Sequence, residues 1–304
     1  MNSQNLLHVP FELGSDQRDV IRGDVRYCPE RMASPQGHNQ QSVLIVAHGF
    51  KAFKDWGPFP HIGERFAKAG FVSVVFSFSH NGVGPNPHRI TAFERFAKNT
   101  ISKEVDDLGR VLDALVEGSI PLPTGVGTDK NSIGIVGHSR GAGVAIIRAR
   151  KDKRVRAVAA WSAVSTFDRW NRQQKEKWRD RGHLSVSGEG AKPKFRISVD
   201  FLEDLEKNKE DLDILRAVSE LHVPLLLVYG NQDLVTPVEE AENLYARSDR
   251  TKTDLILLER TGHMLGGGSI PFRRSSTLDR VIDLTSAWFH RNLGSKREAD
   301  GDFE

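Results

Sequence analysis

The chain is short of cysteine: among 304 residues only Cys28 occurs, so no disulfide can close within it. A reducing compartment suits such a sequence. No apolar run approaches the ~18 residues a membrane-spanning helix needs. Residues 1–40 are mixed and polar, without the apolar centre of a secretion signal. Neither sign of charge dominates, because 43 Lys and Arg face 40 Asp and Glu, a formal net charge of +3. That balance supports neither nucleic acid nor an anionic membrane as a partner. Eleven histidines are present, but His-Glu-x-x-His and paired Cys-x-x-Cys are both missing, so no dedicated zinc site is expected. Internal repeats are also missing. The expectation is a cytoplasmic protein that acts on a small molecule, with an oligomeric state the sequence leaves open.

What is present is an alternation of strand-like and helix-like segments, which predicts an α/β fold with a mostly parallel central sheet flanked by helices. Leu7, Val9, Phe11 and Leu13 alternate as in a half-buried strand, and Asp19 to Tyr27 returns as its hairpin partner. Ser42 to Ala47 is apolar on both faces, as a central parallel strand should be. His61 to Ala69 reads as a helix stopped at Gly70, and Val72 to Phe78 as the next strand. Ile101, Val105, Leu108, Leu112 and Leu115 recur at three and four residues and mark a helix from Ile101 to Glu117, ended by Gly118. Ser132 to Val136 is a buried strand and Gly141 to Arg150 a buried helix. Val155–Trp161, Pro224–Tyr229 and Asp254–Leu258 add strands, and Leu278 to Phe289 carries a closing amphipathic helix. The tail from Ser295 reads as frayed.

The pattern fits one domain, with a core over about 5–164 and 218–294. Residues 165–217 interrupt the alternation. This stretch is too long for a simple crossover and reads as a partly helical lid over the C-terminal edge of the sheet. Between Asp168 and Arg196 it carries nine basic residues against four acidic ones. Either that field draws anionic substrates or the charges form a solvated face, with Trp170 and Trp178 as the apolar underside.

Gly137-His138-Ser139-Arg140-Gly141 follows a buried strand and opens a buried helix, the context a nucleophile elbow requires. A dinucleotide site is the competing reading of these glycines. It fails because Ile146 stands where a third small residue belongs and no acidic residue ends the next strand. Gly266-Gly267-Gly268 lacks the Lys-Ser/Thr of a phosphate loop. A serine hydroxyl needs a base, and in this chain order the base comes last, after the acid. His263 fits the base. Asp233 fits the acid, directly after an apolar strand, with Asp168 as runner-up and Glu259 third. The oxyanion hole calls for the backbone N–H of Arg140 and one from the loop after Ala47, where Phe50 follows Gly49. His48 reads as a structural hydrogen-bonding residue.

The segments HGFKAFKDWG, SFSHNGVG, GHSRGAG, GNQD and TGHM, in this order, resemble the dienelactone hydrolase-like branch of the α/β hydrolases. The likeness runs from about Val43 to the last helix. It implies the α/β-hydrolase fold and hydrolysis of acyl bonds with no metal or organic cofactor. It carries over Ser139, Asp233 and His263 as a triad, and Phe50 and Arg140 as oxyanion donors. The enzyme that names the branch uses a cysteine nucleophile where this chain has Ser139, so its substrate does not transfer. Ser139 also stands too early for the N-terminal propeller of prolyl-oligopeptidase-like relatives, which weakens a peptidase reading. A carboxylic ester hydrolase working through an acyl-enzyme is the first expectation. A peptidase or amidase with the same triad, and an inactive binding protein on the same fold, are the alternatives.

Overall fold

The structure is a computed structural model, and it describes residues 5–14, 19–32, 40–122, 127–186, 195–268 and 271–293. Of the features singled out above, the tail from Ser295 and the charges of Glu189, Lys192 and Lys194 lie outside the described residues. In chain order the strands are β1 (Leu7–Leu13), β2 (Ile21–Tyr27), β3 (Gln40–Ala47), β4 (Val72–Ser77), β5 (Gly127–His138), β6 (Val155–Trp161), β7 (His183–Val186), β8 (Phe195–Ser198), β9 (Leu225–Gly230) and β10 (Thr253–Leu258). The helices are α1 (Pro29–Met32), α2 (Phe59–Lys68), α3 (Phe93–Ala97), α4 (Ile101–Glu117), α5 (Arg140–Lys151), α6 (Arg172–Arg181), α7 (Val199–Lys207), α8 (Ile214–Ser219), α9 (Val238–Arg247) and α10 (Ser276–Leu293).

Eight strands form one sheet in the order β1-β2-β4-β3-β5-β6-β9-β10. The hairpin of β1 and β2 joins β4 antiparallel. From β4 to β10 every neighbouring pair is parallel. Parallel strands are covered on both faces, and β4 and β9 are buried at every position. One face packs on α4, α5, α8 and α9 through residues such as Leu108, Ile146, Ala217 and Leu244. The other packs on α2 and α10 through Phe66, Val281 and Phe289. The order of strands reverses between β3 and β5, so their C-terminal ends frame the crevice where open sheets of this kind bind ligands.

Local chemistry sets the helix ends that matter here. The Thr100 side chain accepts the Lys103 N–H at the start of α4, and Gly118 closes the helix at φ 83°. The N–H of Ser102, in the same first turn, donates to the Asp204 carboxylate of α7 at 3.0 Å. The insertion is thereby tied to a core helix. Its own core is aromatic: Trp178 is 1% exposed, donates its indole N–H to Ile197 O at 3.0 Å, and packs against Trp170 and Phe201. The expected apolar underside is there. The antiparallel hairpin β7–β8 was not expected. Short, mixed strands flanked by charge leave no period-2 signal. The insertion's cations are largely engaged at the surface, with Arg172 pairing Glu176, Arg179 pairing Glu206 and Lys175 pairing Asp168.

Candidate active site

Strand β5 runs through the sheet and turns into α5 within a single residue, Ser139, whose backbone sits at φ 56° and ψ −121°. That positive φ is strained for a side chain. It holds because the surroundings leave no alternative. A Cβ on Gly137 would come within 2.4 Å of the Ala142 Cα, and one on Gly141 within 2.4 Å of the His48 carbonyl oxygen. The Ser139 N–H donates to Trp161 O at 2.8 Å, extending the β5–β6 ladder into the turn. The hydroxyl is thus presented at the C-terminal edge of the sheet, over the N-terminus of α5, where negative charge is favoured.

His263 lies in the loop after β10 and Asp233 in the turn after β9. The structure brings both to Ser139. His263 Nε2 is 3.1 Å from Ser139 Oγ, and His263 Nδ1 is 2.8 Å from Asp233 Oδ2. An Nδ1–H directed at the carboxylate leaves Nε2 free to accept from the serine. Asp233 is 4% exposed, yet its carboxylate is saturated with donors. Thr236 Oγ donates to Oδ2 at 2.7 Å, and the N–H groups of Val235 and Thr236 donate to Oδ1 at 2.8 and 2.9 Å. Burial alone would raise its pKa. The bonds from His263 and Thr236 outweigh burial and hold it well below the usual carboxylate range. The runner-up Asp168 is elsewhere, at the surface beside Lys175. Glu259 stands exposed at the end of β10.

Two further histidines hold the site's backbone. His48 is buried and bonds at both ring nitrogens, Nδ1 to Gly49 O at 2.8 Å and Nε2 from the Phe78 N–H at 3.2 Å. Burial lowers its pKa to about 3, so it is a neutral strut. His138 donates from Nε2 to the His263 carbonyl at 3.0 Å and packs on the His263 ring. Burial lowers it to about 4. The loop after β3 passes directly over Ser139, since a Cβ on Gly49 would lie 3.1 Å from the Ser139 Cβ. Phe50 follows Gly49 in that loop, and Arg140 follows Ser139 at the start of α5. As the first residue of α5, Arg140 has a backbone N–H that no intrahelical carbonyl can engage.

Sequence reasoning missed Thr236, His138 and Glu104. Thr236 stands three residues after Asp233 in an ordinary turn, and His138 lies within the elbow motif itself, at a position the motif leaves open to any residue. Glu104 is 2% exposed and accepts from the Arg140 guanidinium at 2.5 Å and from Asn99 Nδ2 at 2.6 Å. Among the described residues no cluster of His, Cys, Asp or Glu is arranged to hold a metal ion, and no helix is long and apolar enough to cross a membrane.

A largely parallel sheet, helices on both faces and a serine on a strand–helix elbow at the sheet's C-terminal edge define an α/β hydrolase. Residues 125–288, more than half of the chain, match the family described as BAAT / acyl-CoA thioester hydrolase C terminal, and the chain belongs to that family. It is similar to the uncharacterized peptidase YuxL of Bacillus subtilis (strain 168), with 20% identity over 270 residues. Those residues are 86% of this chain but 36% of the relative, so the chain spans about a third of that protein's length. Among solved structures it resembles the α/β hydrolase GrgF from Penicillium sp. sh18, with TM-score 0.68 and 18% identity over 95% of this chain and all of that one. It also resembles a dienelactone hydrolase from Anabaena variabilis ATCC 29413, with TM-score 0.60 and 16% identity over 95% and 99%. At these identities the two structures establish the fold.

Proposed function

We propose that the protein is a serine hydrolase that cleaves carboxylic esters or thioesters through an acyl-enzyme. The observation that carries this reading is the unbroken chain from Ser139 Oγ to His263 at 3.1 Å and on to Asp233 at 2.8 Å, built on a buried elbow. In this mechanism His263 Nε2 takes the Ser139 proton as Oγ attacks the acyl carbon. The N–H groups of Phe50 and Arg140 receive the developing oxyanion, a contribution of ~3 kcal/mol per donor in comparable sites. His263 then protonates the departing alkoxide or thiolate, and a water, activated by the same histidine, releases the acid. Asp233 holds the imidazole in the tautomer this requires. The insertion, packed against the start of α4, is assigned as a cap that shapes the acyl site.

The family's description favours thioesters among acyl donors, and the dienelactone hydrolase resemblance favours oxygen esters. An amidase is the second reading, favoured by the peptidase named among the relatives. A panel of matched p-nitrophenyl esters, acyl thioesters and anilides separates the three. Ser139→Ala is expected to lose on the order of 10⁶ in kcat on the preferred class. A fluorophosphonate probe is expected to label Ser139 in the wild type alone. Label elsewhere, or a fully active variant, would discard the mechanism.

A further inference from the structure

The side chain next to the nucleophile is occupied in an unusual way. The Arg140 guanidinium lies 4.5 Å above the ring of Phe50 and 5.9 Å from the ring of Phe201. It is anchored from below by Glu104 at 2.5 Å, and Glu104 is held in turn by Asn99 at 2.6 Å. Phe50 packs on Phe96 at 5.5 Å, so its ring is caught between the cation and α3. Burial pushes the Glu104 carboxyl up against the pull of Arg140, while its place in the first turn of α4 favours its charge.

This buried pair serves stability poorly. Glu104 Oε2 and Arg140 Nε are both buried and without a hydrogen-bond partner among the described residues. Replacing such an ion pair by an apolar pair of similar volume is often neutral or stabilising. Its position points to another use. Phe50 and Arg140, whose backbone N–H groups the functional reading assigns to the oxyanion hole, come from different elements, the loop after β3 and the first turn of α5, and their side chains rest on each other. Oxyanion donors must be held to about 0.5 Å to act, and the Phe50 loop has no regular secondary structure to hold it.

We propose that Glu104 is a positioning residue. By fixing the Arg140 guanidinium over Phe50 it holds the N–H groups of residues 50 and 140 at one spacing, ready for the tetrahedral intermediate. Phe201, from the insertion, closes the stack on its far side. The proposal rests on the functional reading above, which assigns those two N–H groups to the oxyanion hole.

The test compares wild type, Glu104→Gln and the apolar double variant Glu104→Leu/Arg140→Met on a p-nitrophenyl ester. Three quantities are measured: kcat, KM, and Ki for a trifluoromethyl ketone, whose adduct with Ser139 places an oxyanion in the hole. Thermal unfolding and fluorophosphonate labelling run alongside. Glu104→Gln is expected to lower kcat and weaken the ketone by about tenfold or more, because small misplacements in a catalytic site cost up to ~100-fold. KM should move by less than about threefold, since ground-state binding is untouched. The double variant should be as stable as wild type and share the defect, which a purely structural role would not produce. Wild-type kcat and ketone affinity in a folded double variant would overturn the proposal, as would a Glu104→Gln defect confined to Tm. A wild type that neither labels at Ser139 nor hydrolyses the ester would instead remove the functional reading on which it stands.

Discussion

Asp233 shows how one side chain is given a single task. Four donors converge on its carboxylate, and three come from its own turn, through Val235 and Thr236. They keep it ionised while burial works against the charge. In the proposed mechanism asparagine there would preserve the shape and lose the acceptor that sets the His263 tautomer. Asp233→Asn is therefore expected to lower kcat by on the order of 10⁴ with little change in fold. Asp168→Asn should cost less than about 1 kcal/mol of stability, because Asp168 itself is an exposed carboxylate, and it should leave kcat alone. Steady-state kinetics of the two variants decide between them: a larger kcat loss at Asp168 would move the acid to the end of β6.

The elements were mostly readable in advance because their chemistry is local. Helix α4 matches its predicted bounds since the apolar stripe, the Thr100 cap and the Gly118 stop all lie within the segment. That Ser139, Asp233 and His263 meet in space was readable for a different reason, that chain order and strand ends constrain where such residues stand. What stayed hidden depends on contacts across the fold. Glu104 gave one clue, a carboxylate on the apolar stripe three residues after Ile101 and four before Leu108, but nothing in sequence says that Arg140 meets it. The β7–β8 hairpin is too short and mixed to register, whereas α9 carries its own local signals, an acidic first turn and an apolar face at Ala241 and Leu244, that the sequence reading passed over. The elbow itself tolerates least. Gly141→Ala would drive a Cβ into the carbonyls of Ala47 and His48, and it is expected to cost several kcal/mol or prevent folding, a class of effect tied to steric overlap in a packed site. Differential scanning calorimetry with probe labelling checks it. An alanine variant with wild-type Tm and full labelling would show that the turn has slack.

At the scale of the whole molecule, acid sensitivity follows from histidines buried neutral. His48 is held at about 3, and His80 and His138 at about 4, each by burial. In the unfolded chain each titrates near ~6.5. Between these values the unfolded state binds more protons, so stability falls as pH drops from about 6.5 toward 4. Asp107 opposes this. Burial raises its pKa to about 7, so the native state gains there on acidification. Three groups outweigh one, and the net loss between pH 7 and 4.5 is expected to be on the order of a few kcal/mol. Urea unfolding at a series of pH values measures it, and a flat or rising profile toward acid would contradict the burial of these rings.

The placement of the insertion has an evolutionary consequence. Strands β6 and β9 are neighbours in the sheet, and α8, which packs on α5 and α9, already completes the crossover between them. The expected insertion of 165–217 therefore ends earlier, because α8 from Ile214 belongs to the crossover; the described residues 166–186 and 195–212 are extra to the scaffold, and Ser139, Asp233 and His263 all lie outside them. On the proposal that this segment is a cap, its exchange between lineages would let substrate preference drift while the reaction is inherited intact. The exchange is not wholly free. Phe201 stacks toward Arg140 and Asp204 caps α4, so a donor segment has to bring a ring and a carboxylate to those two places. A chimera that keeps them should label with fluorophosphonate at the parental rate while its acyl-chain profile follows the donor, and one that drops them should label slowly whatever the donor.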